Sequence, residues 1–285
     1  MKISFSTLAC PEWNLSQVLE LAIRSGYNGV ELRFLEGEDS LWKLPVFQGA
    51  GLQATKRHIS ESGLAISCVD TSCRFDSPEK SEREKWIMEG ERMAELAAQL
   101  GAPGIRVFGD RIHAQADREC TTSWIVESLT LLTRKMRNSG VEIWLETHGD
   151  FASAVDVQSI LSQCPGVGLV WDPVAAFIEN GEAALDHGLA LSRAIRHTHI
   201  KDVRRLNADW IPVLTGEGEF PLFNIRTVLE NINYSGFLSF EWEKKWHRSI
   251  ENARVAVPHF ANWFRTAWHA LADPANSQIS GKGDR

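Results

Sequence analysis

The sequence predicts an α/β chain folded as a (β/α)8 TIM barrel, and three observations carry that expectation. Eight short apolar runs recur along the 285 residues, with stretches of helical period between them. Such alternation implies parallel strands joined by right-handed crossovers. Eight units suit a closed barrel, which takes about 250 residues in one domain. The first turn, Thr7-Leu8-Ala9-Cys10-Pro11, lacks the glycine-rich fingerprint of an open dinucleotide-binding sheet. The last four runs each end in a carboxylate or a histidine, at the rim where barrel active sites form.

The first apolar run covers residues 3–8. A helix follows over 15–24, with Leu15, Val18, Leu19, Ala22 and Ile23 on one face. Asn14 is its expected N-cap and Gly26 its left-handed stop. The second and third runs are 29–32 and 65–69, and the periodicity assigns no helix between them. A long helix is expected over 82–100, closed by Gly101, then a strand over 105–108 and a helix over 122–137 ending before Gly140. The remaining strands fall at 141–145, 167–171, 195–200 and 237–242. Helices are expected at 154–161, 183–192, 222–231 and 250–272. The reading is one domain, 1–272, followed by a polar tail, 273–285, expected to fray.

The composition narrows the function classes. A formal net charge of −7 repels phosphate backbones, so nucleic acid is not an expected partner. Cys10, Cys68, Cys73, Cys120 and Cys164 are scattered, and none forms a CxxC pair. They read as thiols of a reducing cytoplasm rather than a disulfide framework or thiolate zinc site. The N-terminus alternates polar and apolar residues without a signal-peptide block, and no apolar run approaches membrane-spanning length. A cytoplasmic protein is expected, and the exposed helices of a barrel are compatible with a homodimer.

The chemistry collects at the ends of the last four runs. The fifth ends Leu145-Glu146-Thr147-His148-Gly149, the sixth Trp171-Asp172-Pro173, the seventh His199-Ile200-Lys201-Asp202, and the eighth Phe240-Glu241-Trp242-Glu243. Glu146, Asp172, His199 and Glu241 therefore arrive together at one rim. Three carboxylates in a confined site cannot all stay ionised without a cation. Three oxygen donors and one imidazole suit Mn²⁺, Mg²⁺, Co²⁺ or Zn²⁺.

These segments, with Gly29-Val30-Glu31-Leu32-Arg33 and Leu238-Ser239-Phe240-Glu241-Trp242, resemble the xylose-isomerase-like superfamily of sugar isomerases and epimerases. Its members include inosose dehydratase and the tagatose/psicose epimerases. The resemblance runs from Ile3 to about Trp263. It implies that Glu146, Asp172, His199 and Glu241 hold one metal, with Glu146 and Glu241 also serving as an acid/base pair on opposite faces of the substrate. Many relatives carry a histidine three residues after the aspartate, and this chain has Ala175 there. That departure argues against a multinuclear zinc centre and against the substrate grip of the epimerases.

The implied activity is isomerisation or epimerisation of a keto-sugar or related polyol through a metal-stabilised enediolate. Loss of a β-hydroxyl or another fragment from the same enediolate would make the protein a lyase: a dehydratase, decarboxylase or keto-glycoside eliminase. A non-catalytic sugar-binding barrel is the third reading. His148, two residues beyond Glu146 and on the same side of an extended segment, either polarises substrate and shuttles a proton or supports the metal carboxylates. Glu31 and Arg33 either bind a substrate hydroxyl or carboxylate or form an internal salt bridge. Lys201, Arg205 and Lys244 follow the last two ligands, where barrels often bind phosphate; a solvated basic rim is the alternative. Trp171 either stacks on a sugar face or packs inside the protein.

Overall fold

The computed structural model describes residues 1–270. The expected tail, 273–285, and the end of the expected last helix lie outside the described residues. The strands, in chain order, are β1 (Lys2–Ser6), β2 (Gly29–Leu32), β3 (Ala65–Arg74), β4 (Gly104–Phe108), β5 (Glu142–Glu146), β6 (Val167–Trp171), β7 (Ile195–Ile200), β8 (Asp202–Leu206), β9 (Asp209–Val213) and β10 (Phe237–Phe240). The helices are α1 (Leu15–Ser25), α2 (Gly49–Ser62), α3 (Lys80–Leu100), α4 (Arg118–Met136), α5 (Ala154–Leu161), α6 (Pro173–Asn180), α7 (Ala184–Leu191), α8 (Leu222–Asn231) and α9 (Ala253–Ala267).

Eight strands close into a barrel in the order β1-β10-β7-β6-β5-β4-β3-β2, each pair parallel. This is the expected (β/α)8 architecture. Strand residues alternate between two environments. One set, including Leu32, Ile105, Val107, Ile143, Leu145, Leu169, Trp171 and Phe240, is buried in the layer between barrel and helices. The other set faces the lumen and is largely polar. Register places Arg106 beside Trp144, Trp144 beside Gly168, and Phe108 beside Glu146.

The lower lumen is filled by Trp144. Its ring stacks on His197 with centroids 5.8 Å apart and planes 13° apart. Its Nε1 donates to Glu142 Oε2 at 2.9 Å. A Cβ added at Gly104 would lie 2.3 Å from the indole, and one at Gly168 2.6 Å away. Bare backbone on both neighbouring strands is therefore what admits an indole inside so narrow a barrel. Above this plug the lumen holds charged groups, and above those it opens at the C-terminal rim.

Local capping follows the sequence. Asn14 and Gln17 form a reciprocal capping box on α1, which ends at Gly26 with φ 77°. Elsewhere the structure corrects the expectations. The first strand stops at Ser6, whose hydroxyl caps a single 3-10 turn over Thr7–Ala9. The third continues to Arg74, the eighth ends at Phe240, and the last helix begins at Ala253 beneath an Asn252 cap. Helix α2 was not expected because it buries only Leu52, Thr55 and Ile59, too thin a stripe to register as periodic. Helix α6 has eight residues and owes its start to Pro173 and a side-chain cap rather than to a pattern. The antiparallel hairpin of β8 and β9 was not expected because Arg204, Arg205 and Leu206 are exposed and read as loop. All five cysteines are free, and of these Cys120 is exposed. No described helix is long and apolar enough to cross a membrane.

Candidate metal centre

Four barrel strands in a row carry the cluster. Glu146 ends β5, Asp172 follows β6, His199 is the penultimate residue of β7, and Glu241 follows β10. All four are buried, and one ligand-type atom from each lies within 4.8 Å of the others. His199 Nδ1 is 3.2 Å from Glu146 Oε1 and 3.6 Å from Glu241 Oε2. Asp172 divides its oxygens between two tasks. Oδ1 accepts from the backbone N–H of Val174 at 2.9 Å and Ala175 at 3.2 Å, capping α6. Oδ2 faces the cluster, 2.8 Å from Lys201 Nζ. Lys201 Nζ also donates to Glu241 Oε2 and Glu243 Oε1, both at 2.7 Å.

A second charged layer supports the first from below. Glu31, on β2, pairs with His197 through Oε2 and places Oε1 3.2 Å from His199 Nε2. His199 thus has Glu31 on its Nε2 side, and its Nδ1 is turned toward Glu146 and Glu241. Arg106, on β4, lies 3.0 Å from Glu146 Oε2 and 3.3 Å from Asp70 Oδ2.

The electrostatics follow from this packing. Burial alone would raise Glu146, but Arg106 and His199 hold it well below the ordinary carboxylate range. Burial raises Glu241, and the charges of Lys201 and His199 only partly reverse that. For His199, burial opposes the charge, yet Glu241, Glu31 and Glu146 raise its pKa well above the ordinary histidine value. Lys201 is likewise raised, against burial, by Asp172, Glu241 and Glu243. Burial raises Asp70, with Glu31 adding to the effect.

The donor set fits a divalent cation. His199 Nδ1 and Nε2 each lie 3.2 Å from a carboxylate oxygen, yet neither is aligned for a hydrogen bond. Buried polar atoms left uncommitted among carboxylates mark a place where a cation belongs. Three oxygens and one imidazole suit Mn²⁺, Mg²⁺, Co²⁺ or Zn²⁺ alike.

A pocket of about 320 Å³ opens above the cluster, lined in part by Arg33, Arg106, Glu146, His148, Lys201 and Glu241. Five expected site residues therefore share one cavity, and Asp172 and His199 contact the lining residues Lys201, Glu146 and Glu241. His148 places Nδ1 3.1 Å from Asp110 Oδ1. A larger cavity, about 530 Å³, lies at the opposite, N-terminal ends of β5 and β6, where Glu142 and Val167 line it. It lacks the gathered ligand atoms of the rim, and barrel chemistry belongs to the C-terminal end.

Four expected substrate contacts are not brought to the pocket. Glu31 is fully buried and forms an internal pair with His197, the alternative reading of that residue. Trp171 is fully buried against the helices, its Nε1 donating to His187 Nδ1 at 2.9 Å. It precedes Asp172, and neighbouring strand residues face opposite ways. Arg205 extends along the exposed hairpin, with Cζ 5.9 Å from the Trp210 ring. Lys244 Nζ donates to the carbonyls of Arg248 and Ile250, bracing the loop after β10. Conversely, sequence reasoning passed over Asp70, Arg106, Asp110, His197 and Glu243. Arg106 carried a usable signal, a charge in the middle of an apolar run.

The family model described as xylose isomerase-like TIM barrel matches residues 19–266. No curated protein sequence matches the chain. Among solved structures, the chain is similar to the probable 3-DHS dehydratase AsbF of Bacillus anthracis, with 19% identity, TM-score 0.75, and coverage of 94% of this chain and 100% of that one. It is similar to the 3-keto-D-glucoside 4-epimerase YcjR of E. coli, with 18% identity, TM-score 0.73, and coverage of 94% and 100%. It also resembles the IOLI protein solved with a binding zinc atom, with 20% identity, TM-score 0.76, and coverage of 92% and 97%. At these identities the likeness is one of fold.

Proposed function

The chain belongs to the xylose isomerase-like TIM-barrel family, and from that premise we propose that it is a divalent-metal-dependent isomerase or epimerase of a keto-sugar or related polyol. The observation that carries the proposal is the meeting of Glu146, Asp172, His199 and Glu241 within 4.8 Å beneath an open pocket. Those four residues would hold the ion. Once bound, it supplies a Lewis acid for a carbonyl and its neighbouring hydroxyl.

The protein's own groups do the rest. Glu146 and Glu241 both approach His199 Nδ1, at 3.2 and 3.6 Å, and both line the pocket. Each carboxylate is placed to remove or return a proton beside the carbonyl. Arg106, 3.0 Å from Glu146, orients that carboxylate. His148 reaches the pocket wall with Asp110 behind it, so its ring can pass a proton to a substrate oxygen. Glu31 lies beneath the cluster, 3.2 Å from His199 Nε2. Proton return to the opposite face gives an epimer, and return to the neighbouring carbon gives an isomer. His148 also supports a second reading, a lyase, because an imidazolium at the wall is an acid suited to a departing hydroxyl.

The test is turnover of a ketose panel in heavy water with added Mn²⁺, followed by NMR. Deuterium at a carbon beside the carbonyl, with no fragment or water lost, is the expected result. Glu146→Gln should abolish it. Full activity in that variant, or in chelated protein without bound metal, would overturn the proposal, and loss of a fragment would convert it to the lyase.

A further inference from the structure

The substrate reading of the pocket leaves one wall without a task, and that wall is cationic. We propose that Arg33 anchors a carboxylate of the substrate, so that the pocket takes an acidic keto-polyol, of keto-aldonate type, rather than a neutral sugar; the inference rests on reading this pocket as the substrate site.

Arg33 directly follows β2 and shares strand parity with Glu31, so its side chain rises on the lumen side. It is only 6% exposed yet lines the pocket. Its backbone N–H donates to Thr7 Oγ1 at 2.8 Å, fixing the base of the side chain. Nη2 donates to Ser72 Oγ at 2.8 Å, and that hydroxyl donates to Asp39 Oδ2 at 2.6 Å. The remaining end is uncommitted: Nη1 is buried with no hydrogen-bond partner. Among the described residues no carboxylate lies within the 4.0 Å of an ion pair. Arg106 nearby is also buried but has Asp70 and Glu146 as partners. A buried guanidinium without its anion is unfavourable unless a ligand completes it.

The surrounding charges sharpen the point. The carboxylates of the pocket are already engaged: Glu146 with Arg106, Glu241 and Glu243 with Lys201, and Asp110 with His148. Arg74, which faces Asp110 at 3.8 Å, and Arg111 line the same pocket as Arg33. Burial and the neighbouring charge of Arg106 bring Arg33 down to about 10, against the opposing charges of Asp70, Asp39 and Glu146, so it stays charged at neutral pH. The cations near β7 and β10, where a barrel would hold phosphate, are committed elsewhere. Lys201 serves three carboxylates and Lys244 two backbone carbonyls. Of the buried cations lining the pocket, Arg106 and Lys201 have ion pairs and Arg33 keeps a planar donor edge without one, the Phe34 ring centroid lying 4.4 Å from its Cζ. A planar monoanion matches such an edge, whereas a phosphate dianion needs more donors.

The experiment compares two probes that differ only at C1, 2-keto-D-gluconate and D-fructose, with D-fructose 1-phosphate as the third arm. Each is titrated calorimetrically into the full chain, with and without Mn²⁺. The keto acid should bind about 10- to 100-fold more tightly than fructose, the worth of a charge-assisted hydrogen bond. In Arg33→Met that preference should collapse to near unity while Mn²⁺ affinity is kept. Arg33→Lys, which preserves stem and charge but not the fork, should keep only part of it. If Arg33→Met does not fold, an undiminished preference in Arg33→Lys overturns the proposal. It is equally overturned if fructose binds as well as the keto acid, if no probe binds, if the phosphate ester binds best, or if the preference survives Arg33→Met, which would put the carboxylate on the metal. Absence of Mn²⁺ binding would sink the metal-enzyme reading alone, and the titrations without Mn²⁺ would still decide the anion site.

Discussion

Asp172 performs two tasks with two oxygens, and a pair of substitutions should separate them. Oδ1 accepts two backbone N–H groups at the start of α6, at 2.9 and 3.2 Å, while Oδ2 faces Lys201 and the ligand cluster. Asp172→Asn retains an oxygen for the cap and loses the charge. Asp172→Ala loses both. Either change removes the ion pair to Lys201, which keeps Glu241 and Glu243. The cap is what differs, and it is worth about 1 kcal/mol. For a domain of this size that corresponds to about 2–4 °C in Tm. Chelator-dialysed Asp172→Ala should therefore melt about 2–4 °C below Asp172→Asn by circular dichroism. Both should lose more Mn²⁺ affinity by calorimetry than the about 10- to 100-fold typical of outer-shell changes. Identical melting of the two variants would refute the cap. Wild-type Mn²⁺ affinity in Asp172→Asn would refute the ligand role.

Two further expectations concern single groups. Burial pushes the thiols of Cys10 and Cys73 up to about 12, and Cys68 and Cys164 are also buried. A disulfide-exchange reagent should therefore titrate one fast thiol, Cys120, in native protein and five after denaturation; rapid native reaction of several would contradict the packing. Burial would lower His148, but Asp110 and Glu146 raise it, and the same bond helps hold Asp110 low. A raised histidine stabilises fully below its ordinary value of about 6.5 and loses that contribution as pH rises through its raised one; a lowered aspartate contributes above about 3.9 and fails as pH falls through its lowered one. Wild type should exceed Asp110→Asn in denaturant midpoint at pH 5–6, and the gap should narrow by pH 9. An unchanged gap would show that the pair does not titrate as described.

Much of the site was legible because strands impose a strict order on side chains. A polar residue at the end of an apolar run reaches the rim, which is how Glu146, Asp172, His199 and Glu241 could be grouped from sequence. The same rule, applied one residue further, separates Trp171 from Asp172, since neighbours in a strand face opposite sides of the barrel wall. The gathering of side chains from strands far apart in sequence was not legible. Nothing local to Lys201 says that Asp172, Glu241 and Glu243 will surround it, and nothing local to Lys244 says that it will brace a loop.

The sequence by itself determined the alternation, the closed parallel barrel and the four side chains that cluster at its rim, because hydrophobic period and strand ends are properties of adjacent residues. Only the tertiary structure decided which charges are spent on one another and which remain available. Arg106 and Arg33 look alike in sequence, each a cation at the end of or within an apolar run, yet one arrives between two carboxylates and the other, among the described residues, reaches Asp39 only through the Ser72 hydroxyl. That difference is one of distance between separate strands, and distance is set only when the barrel closes.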